Sequence, residues 1–186
     1  EILKEDAFRP VSDGFEYSNF GAGLVGCVLE AALGQPLEEV FQASLFKPMG
    51  IRATFVPQRA EGFLASSFRV FSMRPVPAYD GTAKQRSRET AQTVDPETHY
   101  VQTQGNLCIS AKELARLGCA LMTEEYGPMR DPVASFGKRD HTLTEGLGTF
   151  ILRNPDLCGE TIYGHQGLAY GALHGLWYAP ALGRGD

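Results

Sequence analysis

The feature that most constrains the fold is a change of apolar spacing along the chain. Up to about residue 140, apolar residues recur every three or four positions in several segments, which indicates amphipathic helices. Beyond that point, short β-prone runs alternate with glycine-containing connections, which indicates antiparallel strands. The order predicts an α+β fold, with a mostly helical region over residues 1–140 and antiparallel strands over residues 141–186.

Three helices are predicted in the first region. Residues 20–33 form the first, a buried helix that ends at the favourable C-terminal cap Gly34. Pro36 suits the first turn of a second helix, which Pro48 stops. Residues 110–113, Ser-Ala-Lys-Glu, match a capping box and predict a third helix behind them.

The connections carry less regular signals. Periodicity fades from residue 57 to residue 100, and a loop of that length in a compact domain is usually functional or mobile. The predicted strands cover residues 147–152, 161–163 and 172–179 as a meander. The last strand runs into the turn-like Gly183-Arg-Gly-Asp186, whose second strand the sequence does not contain. We therefore expect the domain to continue beyond the chain.

The composition argues against nucleic-acid binding and against a transmembrane helix. The chain has 186 residues, of which 43% are hydrophobic, and a formal charge of -5 at pH 7. A nucleic-acid surface needs clustered Lys and Arg, so this charge argues against one. No run approaches the roughly 18 consecutive apolar residues of a transmembrane helix.

The four cysteines do not predict a metal site. None belongs to a Cys-x-x-Cys motif, and no histidine lies at ligand spacing from them. Cys27 and Cys119 fall within apolar helical patterns, where a reduced, buried thiol is expected.

Two short motifs could place polar side chains in a cleft. Tyr17-Ser-Asn19 lies on a turn that feeds the first helix, and residues 163–168, Tyr-Gly-His-Gln-Gly-Leu, run from a strand into glycine-permitted backbone. Such backbone lets a substrate approach main-chain N–H groups, as an oxyanion hole requires. The alternatives are a helix N-terminus in which Ser18 or Asn19 only caps and Tyr17 packs, and a glycine-rich hairpin with an exposed histidine.

The order of several segments resembles the class C β-lactamase-like group of serine hydrolases, which also holds D-alanyl-D-alanine peptidases, D-amino-acid peptidases and esterases. Those segments are residues 15–21 (Phe-Glu-Tyr-Ser-Asn-Phe-Gly), 34–51, 105–110 (Gly-Asn-Leu-Cys-Ile-Ser) and 164–167 (Gly-His-Gln-Gly). The resemblance implies a β-lactamase/transpeptidase-like fold, acyl-enzyme chemistry on an amide or ester bond, and no metal or organic cofactor.

The resemblance also implies roles for individual residues. Tyr17 would assist proton transfer and Asn19 would hold the substrate amide. His165 would be a catalytic residue, Gln166 and Gly167 would bind the substrate, and the backbone N–H of Leu168 would serve the oxyanion hole. The family usually has lysine where this chain has His165. Because imidazole is not a permanent cation, strong binding of a substrate carboxylate is in doubt.

The family's nucleophile is a serine in a Ser-x-x-Lys motif that precedes Tyr-x-Asn, and no such motif lies before Tyr17. Ser44 and Ser135 each begin a Ser-x-x-Lys string, but Ser44 is predicted in the last turn of a helix and Ser135 in a loop. Both are interpreted as non-catalytic. We expect the nucleophile in an N-terminal segment of the same protein. The alternative is an inert pseudoenzyme or binding module with the same fold.

Overall fold

The computed structural model describes residue 15 and residues 17–60, 67–68, 75–76, 102–135, 143–153, 159–169 and 172–185. Most of the predicted loop over residues 57–100 lies outside these ranges, as do Cys158, His99 and His141.

Three α-helices form where they are predicted. The first, α1, spans Asn19–Leu33, and Gly34 caps it in a left-handed conformation while its N–H donates to the Glu30 carbonyl at 2.8 Å. The second, α2, spans Leu37–Phe41 and continues as a π-helical turn over Gln42–Phe46. The third, α3, spans Ala111–Leu121.

One of the two hydrogen bonds of the predicted capping box forms at the start of α3. The Ser110 hydroxyl accepts a hydrogen bond from the backbone N–H of Glu113 at 3.2 Å, as the motif predicts. The Glu113 carboxylate accepts from Arg116 at 3.2 Å. One half of the motif therefore stabilises the helix start, and the other half forms an ion pair along the helix.

The prediction that α1 is buried is wrong for one side of the helix. Gly26 packs against Thr103, whose hydroxyl donates to the Ala22 carbonyl at 2.6 Å. The other side carries exposed apolar residues: Leu24 (42% exposed), Val25 (60%), Val28 (58%) and Leu33 (54%). The predicted burial of Cys27 and Cys119 is wrong for the same reason, since apolar spacing does not say what covers a helix face. Both thiols are exposed and free.

A buried carboxylate joins α2 to the first strand, β1, which spans Ala53–Thr54. Glu38 is 2% exposed, and its oxygens accept from the Thr54 hydroxyl at 2.8 Å, from Gln42 at 2.9 Å and from the Phe55 N–H at 2.7 Å. Four partly or fully buried residues pack beside it as a core: Phe46, Ile51, Ala53 and Phe55. This satisfied network holds the helical region together.

The described residues also form four 3-10 helices, Pro57–Ala60, Gln102–Gln104, Glu124–Arg130 and Pro180–Leu182, and ten strands. The strands are β1, β2 (Ser67–Phe68), β3 (Pro75–Val76), β4 (Cys108–Ile109), β5 (Ala134–Ser135), β6 (Leu143–Glu145), β7 (Phe150–Arg153), β8 (Thr161–Ala169), β9 (Ala172–Ala179) and β10 (Arg184–Gly185). Strands β1 and β4 pair, as do β2 and β3. The other six form one antiparallel sheet in the order β10-β9-β8-β7-β6-β5.

The sheet is the meander predicted from the sequence, with two differences. It begins before residue 141, because Ala134 and Ser135 pair with β6. It also closes the last turn within the chain: Gly183 adopts a left-handed conformation, and the next two residues pair with Ala179 and Tyr178. Helix α3 packs on β9, where Gly118 lies against the Leu176 side chain.

No single helix among the described residues is long and apolar enough to cross a membrane. By length and composition alone, α1 and the α2 to π-helical segment together meet the criteria for a span, with a bend of 80° between them.

Candidate active site

Tyr17 is held between a helix and the sheet. Ser18 is the N-cap of α1, with extended backbone, and its hydroxyl accepts from the Gly21 N–H at 3.0 Å. Three residues before the cap, the Phe15 N–H donates to the Ser135 carbonyl of β5 at 3.3 Å. The helix cap and this one hydrogen bond to β5 thus hold the backbone on both sides of Tyr17, which is 53% exposed.

Four rings meet where this segment faces the sheet, and we refer to Phe15, Tyr17, Phe150 and His165 as the aromatic cluster. The Tyr17 ring lies 5.8 Å from the His165 ring and 6.4 Å from the Phe150 ring, measured between centroids. Phe150 and His165 stack at 4.5 Å with their planes 16° apart, and Phe15 meets Tyr17 at 6.5 Å. The two motifs, far apart in the sequence, therefore lie side by side.

The predicted end of the strand at residue 163 is wrong, and residues 164–167 are not a glycine-containing connection. All four residues lie within β8 and pair with β9, from Gly164 opposite Trp177 to Gly167 opposite His174. The hairpin connection comes later, after Ala169. Glycine indicated a turn, whereas here its missing side chain serves close packing within a strand.

Gly164 cannot carry a side chain in this conformation. A Cβ atom there would lie 2.1 Å from the carbonyl oxygen of Leu176 and 2.8 Å from the Trp177 ring. The first of these is backbone and cannot rotate away. The close approach of β8 and β9 immediately before His165 therefore depends on glycine at this position.

The other predicted site residues follow Tyr17 and His165 in the sequence, on α1 and β8. Asn19 is the first residue of α1 and exposed, while Ser18 alone supplies the helix cap. Gln166 and Gly167 follow His165 in β8 and are exposed, and Leu168 is in register with Leu173 of β9.

Sequence reasoning missed two residues of this region. Phe150 begins β7 and stacks on His165. His174 faces Gly167 across the β8–β9 pair, with a ring carbon 3.7 Å from the position of an added Cβ. Both contacts depend on strand register, and no local motif in the sequence signals them.

The two Ser-x-x-Lys serines lie in settings that do not suit a nucleophile. Ser44 is inside the π-helical turn, where its hydroxyl donates to the Val40 carbonyl at 2.6 Å. Ser135, predicted in a loop, instead belongs to strand β5. Neither is at a helix N-terminus, where the dipole would favour a developing negative charge.

A buried carboxyl group lies next to the aromatic cluster in the sheet. Glu145 of β6 pairs with Phe150, is 5% exposed, and has one carboxyl oxygen without a hydrogen-bond partner in the described part of the chain. Burial raises its pKa from 4.5 to about 7. Among the described residues, no three His, Cys, Asp or Glu side chains are grouped as a metal site.

Glu145 is expected to make stability fall as pH rises. The folded carboxyl group keeps its proton up to about pH 7, whereas the unfolded one releases it near pH 4.5, so the folded state binds more protons between these values. Glu145→Gln should flatten this part of a plot of unfolding free energy against pH and raise Tm above pH 7. The control is Glu113→Gln, which removes a carboxylate paired with Arg116. Parallel plots for wild type and Glu145→Gln would contradict the assignment.

The fold has close counterparts among solved structures. The octameric penicillin-binding protein homologue from Pyrococcus abyssi matches with a TM-score of 0.68 and 21% identity, over 92% of this chain and 37% of that one. The β-lactamase/D-alanine carboxypeptidase from Pseudomonas syringae matches with a TM-score of 0.68 and 15% identity, over 96% and 56%. The D-stereospecific amidohydrolase from Streptomyces sp. matches with a TM-score of 0.61 and 19% identity, over 92% of this chain and 48% of that one.

These likenesses concern the fold, and they confirm the predicted β-lactamase/transpeptidase-like α+β architecture. The chain spans between 37% and 56% of the length of these three structures. No curated protein sequence matches the chain. Residues 6–185, nearly the whole chain, match the sequence profile of the family described as Beta-lactamase. The protein therefore belongs to the β-lactamase family.

Proposed function

We propose that the protein is a serine hydrolase that cleaves an amide or ester bond through an acyl-enzyme. The observation that carries the proposal is the 5.8 Å separation of the Tyr17 and His165 rings, because it brings two hydrolase-like motifs into one place. Family membership and the fold support the same class of chemistry. The substrates are a β-lactam, a D-amino-acid peptide or amide, or a simple ester.

The site residues have separate roles in this proposal, and His165 is a catalytic residue beside Tyr17. Tyr17 takes and returns a proton during attack and departure, since a half-exposed phenol beside an imidazole can reach a bound substrate. Asn19, Gln166 and Gly167 hold the substrate along α1 and β8. The backbone N–H of Leu168 stabilises the oxyanion, because the negative charge that develops there faces the fixed dipole of that N–H group.

The aromatic cluster favours neutral substrates over acidic ones. The rings of Phe15, Tyr17 and Phe150 carry no positive charge. The fourth ring, His165, stands where the family usually has lysine, so the site lacks a permanent cation. We propose that esters and neutral amides are turned over better than substrates with a free carboxylate next to the scissile bond.

Covalent labelling tests the proposed chemistry. The intact protein, incubated with a fluorophosphonate and with a fluorescent penicillin, is expected to gain one covalent label at a serine other than Ser44 or Ser135. The variants Ser44→Ala and Ser135→Ala should label like the wild type, and residues 1–186 alone should give no labelled band. Peptide mapping by tandem mass spectrometry identifies the serine.

Two outcomes would count against this account. Stoichiometric label at Ser44 or Ser135 would make one of these serines the nucleophile. No label with either reagent, together with no hydrolysis of a p-nitrophenyl ester, would favour an inert binding module of the same fold.

A further inference from the structure

We propose that Phe150 is a positioning residue that fixes the imidazole of His165 beside Tyr17; the catalytic consequence rests on the function proposed above. Phe150 is stacked on His165 at 4.5 Å with an interplanar angle of 16°, the closest of the ring contacts in the aromatic cluster. It also contacts the Tyr17 ring at 6.4 Å. One side chain therefore contacts both motif residues.

Strand register places Phe150 opposite the residue that precedes His165. Its partner in β8 is Gly164, which has no side chain to occupy the space beside the ring. Successive side chains of a regular strand point to opposite faces. His165 nevertheless stacks on the Phe150 ring, directly after Gly164, whose φ of 158° departs from the values of a regular strand. On its other side Phe150 pairs with the buried Glu145 of β6. The ring therefore belongs to a residue that lies between Glu145 and Gly164 across the sheet, and its face meets the imidazole.

A stacked neighbour restricts the imidazole without consuming its hydrogen bonds. Contact between ring faces limits rotation of the His165 side chain, while both nitrogens, which lie on the ring edge, remain available to a substrate. A smaller aliphatic residue at position 150 fills less space and has no face to stack, so the imidazole would sample further rotamers. Reaction geometry would then be lost even though every motif residue is present.

The test combines spectroscopy with kinetics on the intact protein. Phe150→Leu is expected to move the carbon-bound ring protons of His165 downfield in NMR spectra, because they lose the shielding of a stacked ring. The same variant should lower kcat on a p-nitrophenyl ester roughly 10- to 100-fold with a smaller change in KM, the size expected for misplaced reacting groups. Phe150→Trp, which keeps a stacking face, should restore both readouts toward wild type.

Leu152→Ala is the matched control, since it removes apolar volume from the same strand without a ring contact to His165. It should lower Tm and leave the His165 signals in place. Unchanged His165 signals in Phe150→Leu, or equal losses of kcat in Phe150→Leu and Phe150→Trp, would overturn the positioning role. The NMR comparison needs no turnover: displaced signals in a protein whose wild type hydrolyses nothing would support positioning of the imidazole and overturn the proposed function.

Discussion

Tyr17→Phe is expected to lower kcat by roughly 10²-fold or more, the usual contribution of a positioned acid or base. The change keeps the ring, and with it the contacts to His165 and Phe150, and removes only the hydroxyl. Because Tyr17 is 53% exposed, thermal unfolding should barely change. Steady-state kinetics with a p-nitrophenyl ester, together with a melting curve, separate the two effects.

The matched control for Tyr17 is Tyr163→Phe. This change also removes one phenol hydroxyl, but from a ring of β8 that stacks on Tyr178 at 6.0 Å. It should leave kcat near the wild-type value. If Tyr17→Phe likewise leaves kcat unchanged, Tyr17 only packs at the start of α1, as the alternative interpretation of its motif holds.

Gly164→Ala is expected to be the most damaging single-methyl change in the sheet. The added Cβ would meet the Leu176 carbonyl oxygen at 2.1 Å, so β8 and β9 must separate locally. Overpacking of this kind costs about 3 kcal/mol of unfolding free energy. Displacing the neighbouring His165 by about 1 Å should reduce kcat roughly 10²-fold as well. Chemical denaturation and ester hydrolysis measure the two losses.

Gly118→Ala is the matched control for this effect, because its Cβ would meet the same residue of β9 through a side chain. The Leu176 methyl group, 2.8 Å from the added atom, can rotate away, and alanine suits the interior of α3 better than glycine. Stability and kcat should therefore change little. Equal behaviour of the two variants would show that the backbone contact at Gly164 does not control the site.

The parts of the fold that were predictable from the sequence depend on neighbours in the chain. Helix α1 ends at Gly34 and α3 begins at Ser110 because caps act within one turn of the helix. The exposed face of α1 was not predictable, since apolar periodicity defines a face without naming what packs on it. The exposure of Cys27 was unpredictable for the same reason, since the sequence does not show which face of α1 is covered.

The candidate site was predictable in its motifs but not in its contacts. Tyr17 and His165 are single residues in short patterns, and their 5.8 Å approach depends on how α1 and the edge strand β5 hold the segment around Tyr17. Phe150 escaped notice because only the pairing of Gly164 with Phe150 brings that ring to His165. Cross-strand register depends on how distant segments pair in the sheet, so a short sequence pattern cannot show it.

A double-mutant cycle tests most directly whether the two motifs form one active site. Values of kcat/KM are measured in the intact protein for wild type, Tyr17→Phe, His165→Gln and the double variant. Residues that work as a unit are non-additive, so the account predicts a coupling free energy of about 1 kcal/mol or more, with the double variant little worse than the more damaged single one. Losses that add within about 0.3 kcal/mol would mean that Tyr17 and His165 act independently, and would contradict the shared site.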